Sequence, residues 1–478
     1  SITAGRYDQS GGLRVSGAGA AQNITWGSSG TASIVTYNNN PDSVLIESAG
    51  DTLTFNGVVT ANQNTWKHGA GTLVYGGATA NAGGGNVTTT VAGGTLVLQK
   101  PAGVAALAVN QNLAVGDDLG GDNADVVRFA NDNQLLATTN TGQGWIDVRA
   151  SGLLDLNSKS QTLVSSGTAT LLYLEQGPVY SADVALGAGT LTLGSATIQT
   201  NVQERTIYAG GPAGVSISSA ATGSVFVPAA NMNFYVDDGT APIDFNLSAN
   251  LAGTGQAWKQ NANSRLALAS TNSGASGTNY AGKFVLANGE LLVANNLALG
   301  ASTGIDVNGA QGLIFADNIG TLGSGKTLNF SSSVQGFYSA GAVRSLGGTN
   351  EWAGNVTLTG NWARFAVDAG TFTVSGVIGQ DAAGRALDKI GEGTLVFAGS
   401  GSNTYTGNTN VYQGTLRLAK TGGAQAIPTG ASYLQIGNDS GMGSSDVVEL
   451  AGADQIGDGV RLEMRASGRF DLNGYNET

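Results

Sequence analysis

The sequence predicts an all-β chain wound as a parallel β-helix, or β-solenoid, and two observations carry that reading. The first is a pentad that returns along the whole length: Gly71-Thr-Leu-Val-Tyr75, Gly94-Thr-Leu-Val-Leu98, Gly189-Thr-Leu-Thr-Leu193, Gly393-Thr-Leu-Val-Phe397 and Gly414-Thr-Leu-Arg-Leu418. Gly71 and Gly94 stand 23 residues apart, Gly393 and Gly414 stand 21 apart. A short strand recurring about every 20 residues marks coils that must stack to bury their apolar faces. The second observation is alternation. The third and fifth positions of the pentad stay apolar while the fourth is Val, Thr or Arg. Side chains alternate across a strand, so Leu73, Leu96, Leu98, Leu191, Leu193, Leu395, Phe397, Leu416 and Leu418 are assigned to a continuous core and Arg417 to solvent. A β-sandwich also has short alternating strands, but it gives no reason for one pentad to return. About 22 residues per coil implies roughly 20 coils.

Composition agrees and excludes several classes. A chain of 478 residues could hold about three ordinary domains, yet a repeat array can run this long as one unit. Glycine supplies 75 residues, about twice its usual share, with only 7 prolines and 41% apolar residues. That is neither collagen nor a disordered tract. Charged residues are only 11%, against roughly 25% in typical soluble domains, so Thr, Ser, Asn and Gly must cover the surface. Such a surface suits an extracellular setting. The net charge of −12 without a Lys/Arg cluster argues against a nucleic-acid partner. No apolar run approaches the roughly 18 residues a membrane span needs. Absence of cysteine rules out disulfides and thiolate metal sites.

Taken in order, residues 1–50 read as N-terminal coils with looser patterning, a candidate subunit-interface segment, around a polar turn at Tyr37–Pro41. Residues 51–478 read as a continuous solenoid containing an internal duplication, about 51–160 and 370–478. Trp66-Lys-His-Gly-Ala-Gly-Thr-Leu73 corresponds to Asp388-Lys-Ile-Gly-Glu-Gly-Thr-Leu395, Asp125-Val-Val-Arg-Phe129 to Asp446-Val-Val-Glu-Leu450, and Leu154-Asp-Leu-Asn157 to Phe470-Asp-Leu-Asn473. A weaker third copy covers about 245–370, with Trp258-Lys259 standing for Trp66-Lys67. Residues 200–245 fit worst; Pro212, Pro228 and Asp237-Asp-Gly239 suggest a lateral loop or an irregular coil.

The stretch Lys389–Leu418 resembles the autotransporter-associated β-strand repeat of bacterial surface proteins. Lys389, Gly391, Gly393 and Asn403-Thr-Tyr-Thr-Gly407 match the repeat's phrases, and Gly414–Leu418 closes it. The first copy departs from the pattern, since Gly76–Thr90 lacks Asn-Thr-Tyr-Thr-Gly. The resemblance implies a right-handed parallel β-helix, exported and displayed at the cell surface. It implies no chemistry, because the repeat is a scaffold shared by adhesins and structural proteins.

The rival that matters is a polysaccharide-degrading β-helix enzyme, which needs paired carboxylates or a proton-abstracting base. The candidates are Asp117, Asp118, Asp122 and Asp125, the pair Asp237-Asp238, and the only histidine, His68. His68 is expected to be an exposed turn residue. The duplicate of the acidic loop replaces two carboxylates by Asn438 and Gly443, so turn chemistry explains it. The same loop is the one candidate for calcium, although its spacing fits neither of the common calcium-loop patterns. No catalytic residue and no other cofactor is expected. The recurring Lys67, Lys259 and Lys389 are read as coil-edge residues bonded locally rather than a binding stripe. The tryptophans are expected to plug coil corners rather than to stand exposed for sugar stacking.

The expected function is a secreted structural protein that assembles head to tail into an extracellular filament or cell-surface layer. The alternatives are a monomeric adhesin for cell-surface or matrix glycans, and a polysaccharide-degrading enzyme. Neither Ser1–Gly5 nor Phe470–Thr478 carries an obvious cap, and an uncapped coil is a template for another strand. The sequence is therefore expected either to be a fragment of a longer solenoid or to pair its ends between copies, its partner being itself.

Overall fold

The computed structural model describes residues 2–7, 10–16, 23–26, 33–35, 42–83, 87–108, 111–135, 144–164, 170–175, 177, 179–194, 205–210, 215–218, 224–226, 231–270, 280–308, 312–331 and 341–478. The turn at Tyr37–Pro41, the residues Pro212 and Pro228, and the side chain of Trp26 lie outside this set. The described secondary structure is all β, and no helix is long and apolar enough to cross a membrane. Contacts divide the chain into two compact units, one of residues 1–257 with 272–280, the other of residues 258–271 with 281–478.

Each unit is a stack of parallel coils, and each coil contributes short strands to two or three sheets. In the first unit one sheet runs in chain order through Asp42–Ile46, Thr65–His68, Thr88–Ala92, Asn112–Val115, Ile146–Arg149, Thr170–Glu175, Arg205–Gly210 and Met232–Val236. A second runs through Thr52–Phe55, Thr72–Tyr75, Gly94–Leu98, Asp125–Phe129 and Gly152–Asp155 onward. In the second unit one face stacks Thr349–Trp352, Thr371–Val374, Thr394–Gly399, Thr415–Lys420, Asp446–Leu450 and Gly468–Asp471. One antiparallel pair stands out among the described strands: Ile2–Tyr7 folds back on Ser10–Val15, with Tyr7 opposite Ser10.

The coils of the two units number about 15 turns, fewer than the roughly 20 expected. The reason is coil length. Leu395 pairs with Leu416, 21 residues on, but Leu416 pairs with Val448, 32 on. Leu113 pairs with Ile146, 33 on, and Leu172 with Ile207, 35 on. Extra residues leave the stack as turns and the ladders resume after them, with a register shift between Thr170 and Leu172 in the last of these long coils. The described strands between residues 205 and 247 pair within the stacked sheets as well. Arg205–Gly210, Val215–Ser218 and Ser224–Phe226 lie in three different sheets, so these strands pair as parts of a coil, while Pro212 and Pro228, on which the expected lateral loop or irregular coil rested, lie outside the described residues. Strands of three to six residues between glycine-rich turns are too short for alternation to show in the sequence.

The core follows the pentads. Leu96, Leu98, Leu191, Leu193, Leu395, Phe397, Leu416 and Leu418 are fully buried and Leu73 nearly so, while Arg417 is exposed and faces Glu449. Burying one such leucine is worth about 1.5–3 kcal/mol. Aromatic pairs fill wider sections of the second unit, with Phe315 stacked on Phe372 at 5.2 Å and Phe330 edge-on to Phe365 at 4.9 Å. Of the described tryptophans only Trp352 is fully buried; Trp66, Trp145, Trp258 and Trp362 are half-buried. That corrects the expected corner-plugging role for those four.

Candidate functional site

The polar residues of the repeat turn inward, and they bond to backbone. Lys389 ends up facing the core beside Phe365, its ladder partner, and is wholly buried. Its Nζ donates to the carbonyls of Ile390 at 3.0 Å, Gly391 at 2.6 Å and Gln413 at 2.9 Å. Two of these close the corner that follows Lys389, and the third lies in the next coil. The ammonium thus ties one turn to the turn stacked on it. Gly391 makes the corner possible: its φ is +80°, and a Cβ there would lie 2.2 Å from the carbonyl oxygen of Val367.

Asn403 is the second peg. Its Oδ1 accepts from the Ile378 amide at 2.9 Å and its Nδ2 donates to the Ala426 carbonyl at 2.7 Å, so one side chain bridges the coils before and after it. Tyr405 is fully buried with its hydroxyl 2.7 Å from Thr409 Oγ1. Lys420 donates through Nζ to the Gly376 carbonyl at 2.9 Å, and its own amide is accepted by Gln455 Oε1 at 2.8 Å. Buried polar groups are costly unless paired, and these are paired to carbonyls and amides that strand pairing leaves over at the turns.

The first copy reproduces this skeleton. Lys67 Nζ donates to the carbonyls of His68 at 3.3 Å, Gly69 at 2.5 Å and Gly93 at 2.5 Å. Asn81 accepts from the Val59 amide at 2.9 Å and donates to the Ala106 carbonyl at 2.6 Å. Lys100 and Gln134 repeat the arrangement of Lys420 and Gln455, with the Lys100 amide 2.8 Å from Gln134 Oε1. Asn157 and Asn473 sit at φ 49° and 48°, each donating to a carbonyl one coil back at 3.1 Å. Asn81 therefore takes the place of Asn403 although the surrounding Asn-Thr-Tyr-Thr-Gly phrase is missing. The sequence carried a signal for these residues: Asn81 lies 322 positions before Asn403, the same step that separates Gly71 from Gly393. Lys259 does the same work in the second unit, bonding the Asn261 carbonyl at 2.9 Å and Ser264 Oγ at 2.7 Å.

Burial sets the electrostatics of these corners. It pushes Lys389 down to about 7, against the pull of Glu392, Asp446 and Asp368, and Lys67 down to about 8, against Asp125. Lys420 is lowered to about 8 by burial alone. Asp125, nearly fully buried, is pushed up to about 6, first by desolvation, with the Ser151 hydroxyl at 2.6 Å opposing. Perturbed groups of this kind often mark functional sites, yet each of these lysines is committed to main-chain carbonyls.

The acidic loop does not converge. Asp117 Oδ1 accepts from the Leu119 amide at 3.0 Å, Asp118 lies in the left-handed region at φ 67°, Asp122 Oδ1 accepts from the Ser181 amide at 3.0 Å, and Asp125 points inward to Ser151. Among the described residues no three His, Asp or Glu side chains come together as a metal site. His68 closes the strand Thr65–His68 and is half-buried, its ring stacked on Trp66 at 5.6 Å. It is therefore a strand residue rather than the exposed turn residue expected. Asp237 and Asp238 follow the strand Met232–Val236, with Asp238 exposed.

Together these residues form a polar clamp on a stacked coil of a β-solenoid. Residues 387–418 match the passenger-associated-transport-repeat, the segment bounded by the Lys389 corner and the Leu416/Leu418 strand. No curated protein and no solved structure matches the chain significantly. The repeat and the solenoid support a secreted or cell-surface, passenger-like protein.

Proposed function

We propose that the protein is a structural passenger of the cell exterior that assembles head to tail, one solenoid stacking on another. The observation that carries this is the coil Arg461–Met464 with Gly468–Asp471. Leu462 and Met464 pair in register with Leu434 and Ile436, which are fully buried, yet they are 43% and 58% exposed. Leu472 is 45% exposed, whereas Leu450 one coil back is buried. These apolar positions carry the chemistry of the core and stand exposed. A neighbouring coil would bury their side chains and satisfy the open strand edge at once. Stacking of the far end of a second copy is a heterologous contact, which propagates.

The test is sedimentation and negative-stain microscopy of the wild type beside a Leu462→Lys, Met464→Lys double variant. Filaments or end-to-end oligomers are expected from the wild type and monomers from the variant. A wild type that stays monomeric at the highest attainable concentration rejects the proposal, as do polymers unchanged in the variant.

A further inference from the structure

Parallel register places three tyrosines of consecutive coils in one column on the first unit. Tyr173 pairs with Tyr208, and Tyr208 pairs with Tyr235. Leu172 and Leu174 flank Tyr173 and are fully buried; Phe234 and Val236 flank Tyr235 and are buried too. Alternation therefore turns Tyr173 and Tyr235 to the outer face of the sheet, where both are partly exposed. With strands about 4.8 Å apart, these two outward rings stand two coils, about 10 Å, apart. Trp145, in the segment leading into the preceding strand, stands edge-on to Tyr173 with ring centroids 6.2 Å apart. Beside the column stand the exposed carboxylate of Glu175 and the partly exposed guanidinium of Arg149, which is bonded to Asp147. Asp238 is exposed beyond the end of the Tyr235 strand.

We propose that this column is a binding track for a linear, neutral polysaccharide running across the coils. A pyranose ring presents an apolar C–H face, which stacks on an aromatic ring, and a girdle of hydroxyls, which bond to phenol, carboxylate and guanidinium groups. A row of aromatic positions in register suits a ligand that repeats along a line. Single-stranded nucleic acid also stacks on aromatic rows, but it needs a basic groove. Here the neighbours include Glu175 and Asp238, and the chain carries a net charge of −12, so polyanions of any kind are repelled.

The test is affinity electrophoresis of the whole chain in gels containing hydroxyethylcellulose, xyloglucan, laminarin or mannan, with alginate and polygalacturonate as anionic polymers. Retardation by at least one neutral polymer, insensitive to salt, and none by the anionic ones is expected. Tyr173→Ala with Tyr235→Ala should weaken that binding at least tenfold, while the Tyr→Phe pair should keep most of it. Circular dichroism of all three proteins establishes that the fold is intact; if the alanine pair fails to fold, Glu175→Lys serves instead, with retention of alginate expected to rise. Wild type that no neutral polymer retards, binding unchanged by the alanine pair, or preference for alginate overturns the proposal. Assembly state is measured separately, so failure here leaves the head-to-tail reading untouched.

Discussion

Lys389 gives the sharpest test of the inward polar skeleton. Replacing it by methionine keeps most of the unbranched length of the side chain and removes the ammonium. Three main-chain carbonyls, of Ile390, Gly391 and Gln413, then lose a donor. An unsatisfied buried group costs about 1–3 kcal/mol, so the three together could cost about 3–9 kcal/mol. Against this, methionine avoids the burial of a charge, which costs several kcal/mol. Because the acceptors belong to the backbone and cannot themselves be made apolar, the carbonyls win. A net loss of about 1–3 kcal/mol is expected for Lys389→Met, and about 3–5 kcal/mol for Lys389→Ala, which adds a cavity. The pH dependence has a definite sign. Burial places Lys389 at about 7, below the 10.5 of a free lysine. Between those values the unfolded chain binds the proton that the folded chain has released, so stability rises with pH across that window. The gap between wild type and Lys389→Met should therefore widen from pH 7 to pH 10, by an amount on the order of 4 kcal/mol at full titration. Urea denaturation followed by circular dichroism at a series of pH values reads both quantities. A methionine variant as stable as wild type at pH 7, or a gap that narrows on raising the pH, refutes the account of the lysine corner.

Four further expectations are open to measurement. Leu416→Asp should lose at least 3 kcal/mol, from lost burial and a buried charge, whereas Arg417→Ser on the opposite face should change stability by less than about 0.5 kcal/mol; equal effects in thermal melts would reverse the inside and outside assignment. Asn81→Ala and Asn403→Ala each free one buried amide and one buried carbonyl, so both should cost about 2–4 kcal/mol and by similar amounts, and a silent Asn81→Ala would dissolve the equivalence of the two copies. Asp125, raised to about 6, holds its proton in the folded state at a pH where the unfolded chain has lost it, so it removes stability as pH climbs from about 4 to 6; Asp125→Asn should flatten that decline in a series of denaturation curves. No new reducing or unsaturated ends are expected when the protein is incubated with pectin, alginate or glucans, and their appearance would mark an active site outside the groups described above.

The apolar half of the fold was legible because it repeats at fixed positions. Leu395, Phe397, Leu416 and Leu418 could be placed inside from alternation alone. The duplication could be read from constant offsets between blocks. The polar half was harder. Lys389 looks like a surface residue by type, and only its recurrence with Lys67 and Lys259 hinted at a structural post. Asn81 was hidden because its neighbours had diverged, and as one of two asparagines between Gly76 and Thr90 it is marked only by its 322-residue offset from Asn403. Coil length was underestimated for a related reason: strand spacing is set by the ladder, whereas turn length is set by nothing that the core must satisfy. His68 was misplaced because strand ends and turns share the same residue types.

That freedom of turn length has a practical side. Leu416 finds Leu395 after 21 residues and Val448 after 32, and the ladder does not slip. Gly422 and Gly423 lie on the longer excursion, with nothing within 4 Å of where a Cβ would stand. A foreign peptide spliced beside them would hang from the side of the stack without entering it. Repeated at the matching turn of another coil, such grafts would sit at spacings fixed by multiples of the strand separation, a ruler for presenting epitopes or enzymes at ångström-defined intervals.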